Sequence, residues 1–104
     1  MTDPQTTIAM TGTDADTDAA AALFKALAHP LRLRLLHVLT QGPHTVGALQ
    51  AAVAADQAAV SAQLLRLRNE GLVACHRAAE DARIMHYTLA DPRIGPLLRT
   101  ALNR

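Results

Sequence analysis

The amino-acid sequence predicts a mainly α-helical fold with one small β-hairpin. Half of the 104 residues are apolar but only 2% are aromatic, and alanine and leucine dominate, which is a composition of helix formers. Apolar residues recur at helical spacing in several segments, and two short strand candidates follow Gly71. A chain of this length forms one domain with a modest core, so a dimer would help it.

The N-terminal residues differ in composition from the rest. They are rich in Thr and Asp and contain one Gly, without periodicity, which predicts a flexible arm over residues 1–17 and a folded domain over residues 18–104. Thr17 or Asp18 can cap a first helix over residues 19–28. Ten residues are too few for a helix that is stable alone, so this helix must dock on the rest of the domain.

Two further helices are predicted before residue 54. Pro30 suits the first position of a helix over residues 30–40, whose side chains are apolar almost all round, as in a central buried helix. A Gln-Gly-Pro-His segment ends it. Thr45 then caps a short helix over residues 46–53.

The helix predicted over residues 57–70 is the most informative element. Asp56 can cap its first turn, and Gly71 suits the left-handed conformation that ends a helix. A buried stripe recurs at i, i+4 and i+7, formed by Val60, Leu64 and Leu67. The opposite face is short, smooth and uncharged at its start, so it can enter a DNA major groove. Together with the preceding short helix it makes a helix-turn-helix.

The last third of the sequence predicts a hairpin and a final helix. Strands over residues 72–77 and 83–89 flank a polar tip over residues 78–82, although the turn lacks an Asn-Gly signal. Asp91-Pro92 then begins a helix over residues 93–103. Its apolar stripe comprises Ile94, Leu97, Leu98, Ala101 and Leu102. The complete order of elements is that of a winged helix-turn-helix, with the hairpin as the wing.

Three stretches of the sequence resemble the ArsR/SmtB family of small bacterial transcriptional repressors. Residues 26–36 (ALAHPLRLRLL) are similar to the family's LA(D/H)PxRLRIL motif. Residues 60–73 (VSAQLLRLRNEGLV) are similar to VSxHLxxLxxAGLV, and residues 87–91 (YTLAD) to the YxLxD end of the wing. The resemblance covers about residues 22–91 and implies a repressor that binds a palindromic operator as a homodimer and is released or tuned by an effector.

The resemblance further implies that the N-terminal half of helix 57–70 reads DNA. The implied base contacts are Gln57, Ala58, Ser61 and Ala62, and the candidate phosphate contacts are Arg66, Arg77 and Arg83. Family members often carry polar side chains or Lys where Ala58, Ala62 and Leu65 stand here, so this face has less hydrogen-bonding capacity. Ala and Leu can meet thymine methyl groups instead, and specificity would lean on Gln57, Ser61 and DNA shape.

The resemblance also implies that the two end helices form the dimer. Each carries an apolar stripe that so small a domain cannot wholly cover, although both stripes could instead pack only within the monomer. The predicted interface residues are Leu23, Phe24, Leu27, Ile94, Leu97, Leu98, Ala101 and Leu102. A dimer would place two reading helices for successive major grooves, ~34 Å apart.

Family members usually respond to a metal or to thiol chemistry, but the usual sensor sites fail in this sequence. The family's Cys-x-Cys site falls on Thr45 and Gly47, and the Asp-x-His pair falls on Asp91 and Arg93. Cys75 is the single cysteine, which excludes a disulfide within one chain. The metal ligands, if a metal is sensed, are therefore unknown.

The histidines offer one further metal candidate. Cys75, His76 and His86 lie on facing strands, and the register of the hairpin decides which of them meet. Such ligands suit a regulatory Ni²⁺ or Zn²⁺, to which three aspartates near the N-terminus could add oxygens: Asp14, Asp16 and Asp18. The other histidines have structural interpretations, with His29 as a helix cap, His37 packed and His44 in a loop. No cofactor is required.

Composition and charge exclude several classes of protein. No apolar run is long enough to span a membrane, and no basic segment followed by an apolar core marks a signal peptide, so we expect a cytoplasmic protein. No nucleophile–base pair, carboxylate pair or phosphate loop is present, so we expect no enzymatic activity. All ten basic residues, but only five of the nine acidic ones, follow residue 18, which mildly suits the domain to a polyanion.

A second interpretation comes from a different functional class. The apolar reading face, together with the acidic Glu80 and Asp81 at the wing tip, also suits an interaction module. Such a winged helix would have weakened DNA binding and would act through a partner protein.

Overall fold

The computed structural model describes residues 13–102 and places five helices and one antiparallel hairpin within that range. They are α1 (Asp14–Leu27), α2 (Pro30–Leu39), α3 (Val46–Val53), α4 (Gln57–Asn69), β1 (Val73–Arg77), β2 (Met85–Leu89) and α5 (Ile94–Leu102). This order confirms the predicted winged helix-turn-helix. Both strands are shorter than predicted: residue 72 precedes β1, and residues 83 and 84 precede β2, with residue 83 in the turn. No helix in the described range is long and apolar enough to cross a membrane.

Helix α1 begins earlier than the sequence predicts. Thr13 is its cap and forms a capping box with Asp16. The Thr13 hydroxyl accepts the Asp16 backbone N–H at 3.0 Å, and the Asp16 carboxylate accepts the Thr13 N–H at 3.3 Å. The predicted cap at Thr17 or Asp18 is therefore wrong, and residues 14–17 of the predicted arm are helical. The rest of that arm, residues 1–12, lies outside the described residues.

The core is organised around α2, as its sequence predicts. This helix contacts the four other helices and β2. Leu35 and Leu36 are completely buried, and Leu39 nearly so. Every helix adds apolar side chains to the same cluster, which also includes Val73 at the start of β1. The core therefore fixes the orientation of α3 and α4 against α2.

The turn between α3 and α4 is tight. Ala54 caps the end of α3 in the left-handed conformation, with φ 54°. Such a conformation is uncommon for a residue with a Cβ, so the turn holds a small strain. Two residues later, the Asp56 carboxylate accepts the Ala59 N–H at 2.8 Å and caps α4. At the other end Gly71, with φ 76°, allows the Leu72 N–H to bond the Leu67 carbonyl at 2.9 Å, which closes the helix.

A single residue, His44, pairs with the outer side of the hairpin. His44 pairs with Tyr87 through two backbone hydrogen bonds of 3.1 and 2.8 Å, so β2 lies between β1 and His44. Because Tyr87 directs both backbone groups toward His44, its pair with Cys75 across the hairpin is a non-hydrogen-bonded one, in which side chains approach closely. His76 stands opposite His86 on the other face.

Candidate nucleic-acid interface

Helix α4 has one face in the core and one face in solvent. Its inner face is fixed by Val60, Leu64 and Leu67, each at most 1% exposed. The four residues predicted to read bases lie on the outer face and are all exposed: Gln57, Ala58, Ser61 and Ala62. Leu65 extends the same face and is 59% exposed. The helix thus presents an accessible surface of short side chains at its N-terminal end.

Arg32 holds α4 against the first two helices. Its side chain is 13% exposed and reaches both α4 and the residue that caps it, through a 2.8 Å hydrogen bond from Nε to the Gln63 amide oxygen and a 3.5 Å ion pair with the C-cap Glu70. Its Nη1 also donates to the Ala26 carbonyl near the end of α1 at 3.0 Å. A charged donor that is so nearly buried needs these acceptors. Arg32 therefore helps to fix the orientation of α4 against α1 and α2. The sequence did not predict this role.

The predicted phosphate contacts differ in their availability. Arg66 is exposed and forms no ion pair with any residue between 13 and 102. Arg77 donates to the Ala82 carbonyl at 2.7 Å, within the wing. Arg83 binds both carboxylate oxygens of Asp81, at 3.1 and 2.9 Å. Hydrogen bonds from Arg83 hold the pKa of Asp81 below its ordinary value, so the pair is charged and its net charge is zero.

The wing tip therefore offers phosphates little attraction. Arg77 and Arg83 are balanced by Glu80 and Asp81, so these four side chains sum to no net charge. Exposed ion pairs are weak, and Arg83 can exchange Asp81 for a phosphate, but the carboxylates stay nearby. By contrast, Arg66 on α4 is exposed and has no carboxylate partner within residues 13–102.

Burial in the protomer divides the residues of the predicted dimer interface into two groups. Four of the eight predicted residues are at most 7% exposed and contribute to the protomer's own core: Leu23, Leu27, Ile94 and Leu98. The other four are accessible to a partner, since Phe24 is 56% and Leu102 40% exposed, Ala101 is exposed and Leu97 is half-buried. An open apolar groove between α1 and α5 is lined by Ala20, Phe24, Pro92, Pro96 and Leu97, among others.

The candidate metal ligands do not converge. His76 and His86 face each other across the hairpin, but Cys75 lies on the opposite face. No group of three or more His, Cys, Asp or Glu side chains in residues 13–102 is placed to hold a metal ion. Asp16 is engaged in the α1 capping box. Hydrogen bonds from Arg93 lower the pKa of Asp91, whose carboxylate accepts from Arg93 Nη2 at 2.6 Å.

Three other histidine assignments can be compared with the structure. His29 occupies the N-cap position of α2, as predicted, and its carbonyl accepts the Leu33 N–H at 3.0 Å, although its side chain makes no capping hydrogen bond. His37 is exposed rather than packed. His44 forms a 2.7 Å hydrogen bond between its Nδ1 and the Gly42 carbonyl, and its backbone pairs with β2.

Cys75→Ser should leave the effector response predicted from the sequence intact. The half-buried thiol faces Tyr87, whose pKa is raised by burial and then by the neighbouring Cys75. Serine preserves the size of the side chain, so we expect the free energy of unfolding to fall by only ~1 kcal/mol. Thermal unfolding and gel shifts with Ni²⁺, Zn²⁺ or a thiol oxidant would measure this. If wild-type protein released DNA in response to one of these agents and Cys75→Ser did not, the wing would be the sensor.

Known proteins share this arrangement. Residues 29–74 match the model of the arsR family of bacterial regulatory proteins. The chain is 42% identical over 90 residues to the HTH-type transcriptional regulator NmtR of Mycobacterium tuberculosis, covering 84% of this chain and 72% of that protein. The crystal structure of the AntR antimony-specific transcriptional repressor is 37% identical, with a TM-score of 0.76 over 86% of this chain and 79% of AntR. The homodimeric winged helix-turn-helix domain of Mb0332 from Mycobacterium bovis is 30% identical, with a TM-score of 0.71 over 86% and 81%.

Proposed function

The chain belongs to the arsR family of bacterial regulatory proteins and is a DNA-binding transcriptional regulator, and we propose that it represses transcription as a homodimer on a palindromic operator. The observation that carries this proposal is the capped N-terminal half of α4, whose outer face is exposed while its inner face is locked in the core. That is the geometry by which a recognition helix enters a major groove. Acting on an operator would place the protein in the bacterial cytoplasm.

The proposed dimer uses the apolar surface between α1 and α5. Phe24 and Leu102 are two of the four large apolar side chains that are markedly exposed within residues 13–102. A second copy would cover them through a two-fold interface, in which the same patch is used by both protomers. The solved domain of Mb0332, which has the same fold, is described as homodimeric. Two-fold symmetry then calls for a palindromic operator.

The proposed effector has three candidate classes: a metal ion, a small molecule and another protein. AntR is by name antimony-specific, so a metal effector has a precedent among proteins of this fold. Residues 13–102 of one protomer hold no group of three ligands. A regulatory Ni²⁺ or Zn²⁺ would therefore need ligands from two protomers or from outside this range.

Gel shift of the DNA upstream of the protein's own gene tests the proposed function. We expect a saturable complex with the upstream duplex at concentrations that leave a scrambled duplex of the same composition free. Its affinity should fall steeply as salt rises, because phosphate contacts release counterions. Repeating the titration with Ni²⁺ and with Zn²⁺ tests the metal effector. Equal affinity for both duplexes would contradict operator recognition.

One alternative function has support from the surface. Leu65 is 59% exposed on the outer face of α4, and the wing tip has no net charge, as expected if this face docks on a protein rather than on DNA. An interaction module of this kind would show only weak, sequence-independent DNA binding in the same gel shift. A sequence-specific complex would exclude it as the main function.

A further inference from the structure

We propose that α4 recognises its operator largely through thymine methyl groups, with Leu65 as a specificity-determining contact. This inference rests on the proposed operator binding and names the base chemistry that the reading face selects. The apolar stripe on the outer face of α4 consists of Ala58, Ala62 and Leu65.

The apolar stripe runs along the accessible side of the helix. Its three residues are spaced at i, i+4 and i+7, so they lie on one line, and all three are exposed. Leu65 is more than half exposed, whereas Val60, Leu64 and Leu67 on the inner face are at most 1% exposed. The core of the protomer is therefore complete without Leu65. Leu65 also does not line the apolar groove between α1 and α5, so the proposed dimer does not explain it.

The chemistry of the stripe limits which base edge it can read. Its side chains have no hydrogen-bond donor or acceptor, so they cannot pair with the polar groups of guanine, cytosine or adenine. The C5 methyl of thymine is the apolar group that base pairs present in the major groove. Gln57 and Ser61 flank the stripe and are exposed, and a glutamine amide can bond both N6 and N7 of adenine. The reading face as a whole therefore suits A·T pairs.

Uracil substitution tests this inference directly. The upstream duplex is synthesised once with thymine and once with uracil at every thymine position, which removes the methyl groups and leaves the base pairing intact. Burying one methyl group is worth ~0.8 kcal/mol, or about fourfold in affinity, so two symmetric half-sites should give a loss of about tenfold or more. We expect the uracil duplex to bind wild-type protein at least that much more weakly.

Two variants separate a methyl contact from an effect of uracil on DNA shape. Leu65→Ala keeps a strong helix former at an exposed position, and its uracil penalty should be clearly smaller than that of the wild type, with the remainder from Ala58 and Ala62. Ile84→Ala, the matched control, truncates an exposed apolar side chain in the wing hairpin, beyond the recognition helix. It should retain the full penalty for uracil, because the thymine methyl lies in the major groove.

The outcomes distinguish this inference from the function on which it rests. Specific binding of both duplexes with equal affinity would overturn the methyl readout and leave the repressor intact. A uracil penalty that is undiminished in Leu65→Ala would also overturn it, since DNA shape would then carry the effect. If the protein bound neither duplex specifically, the proposed operator binding would be overturned, and this inference with it.

Discussion

Phe24→Asp is expected to convert the protein into a folded monomer that has lost specific DNA binding. Phe24 is 56% exposed on α1, where it lines the apolar groove with residues of α5. Burying such a side chain contributes about 1.5–3 kcal/mol, and a two-fold interface buries it twice. The substitution removes this gain and places two unpaired carboxylates in the interface. Sedimentation velocity at micromolar protein should show the protomer mass, and operator affinity should fall at least tenfold because one reading helix is lost.

The matched control for this variant is Ile84→Asp. It also replaces an exposed apolar side chain, at 38% exposure, with the same charge, but it lies in the wing hairpin rather than the groove. We expect Ile84→Asp to stay a dimer, and circular dichroism to show native helix content in both variants. A folded dimer of Phe24→Asp would rule out the interface between α1 and α5.

The dimer helices show what a helical stripe in a sequence can and cannot predict. Periodicity identified the apolar residues of both helices, but it could not divide them between the protomer's core and a partner. Leu98→Asp, which the sequence alone would choose as the disrupting change, alters a side chain that is 2% exposed in the core. That variant should unfold the protomer, since a core leucine is worth several kcal/mol. Phe24→Asp is expected to separate dimerisation from folding, because Phe24 does not belong to the core cluster.

Local sequence signals predicted the helices and strands well, but they could not predict long-range contacts. The capped start of α4, its glycine end and its buried stripe are all encoded within sixteen residues, and the structure confirms each. Arg32 and Gln63 are 31 positions apart, so no sequence window could show that they bond. The start of α1 was missed although a signal was present, because Asp16 takes the position that Glu or Gln usually holds in a capping box.

The pairing of Arg83 in the wing had a signal in the sequence that was not used. The sequence contains Asp-x-Arg twice, at 81–83 and at 91–93, and both fold in the same way. In each, the aspartate accepts the backbone N–H of the arginine two residues later and also binds its guanidinium. The repeated motif was visible in the sequence and would have indicated that Arg83 is paired with a carboxylate before it meets any phosphate.

Ser61→Glu should reduce operator affinity at least tenfold without disturbing the fold. Ser61 is exposed in the second turn of α4, on the face proposed to enter the major groove. A glutamate there would bring a negative charge between two phosphate backbones and remove a short donor beside the bases. A tenfold loss corresponds to ~1.4 kcal/mol. The fold should persist, because glutamate is a better helix former than serine and Ser61 makes no side-chain hydrogen bond within residues 13–102. Fluorescence anisotropy with the upstream duplex would measure the loss.

Asn69→Glu is the matched control, because it adds the same charge to the same helix at another exposed position. The two sites are eight residues apart, or ~12 Å along the helix axis, which exceeds the screening length of ~8 Å at physiological salt. Asn69→Glu should therefore weaken binding much less than Ser61→Glu. An equal loss in both variants would mean that only the net charge of the domain matters. Unchanged affinity in Ser61→Glu would remove the N-terminal half of α4 from the interface, and the wing or α3 would then have to make the specific contacts.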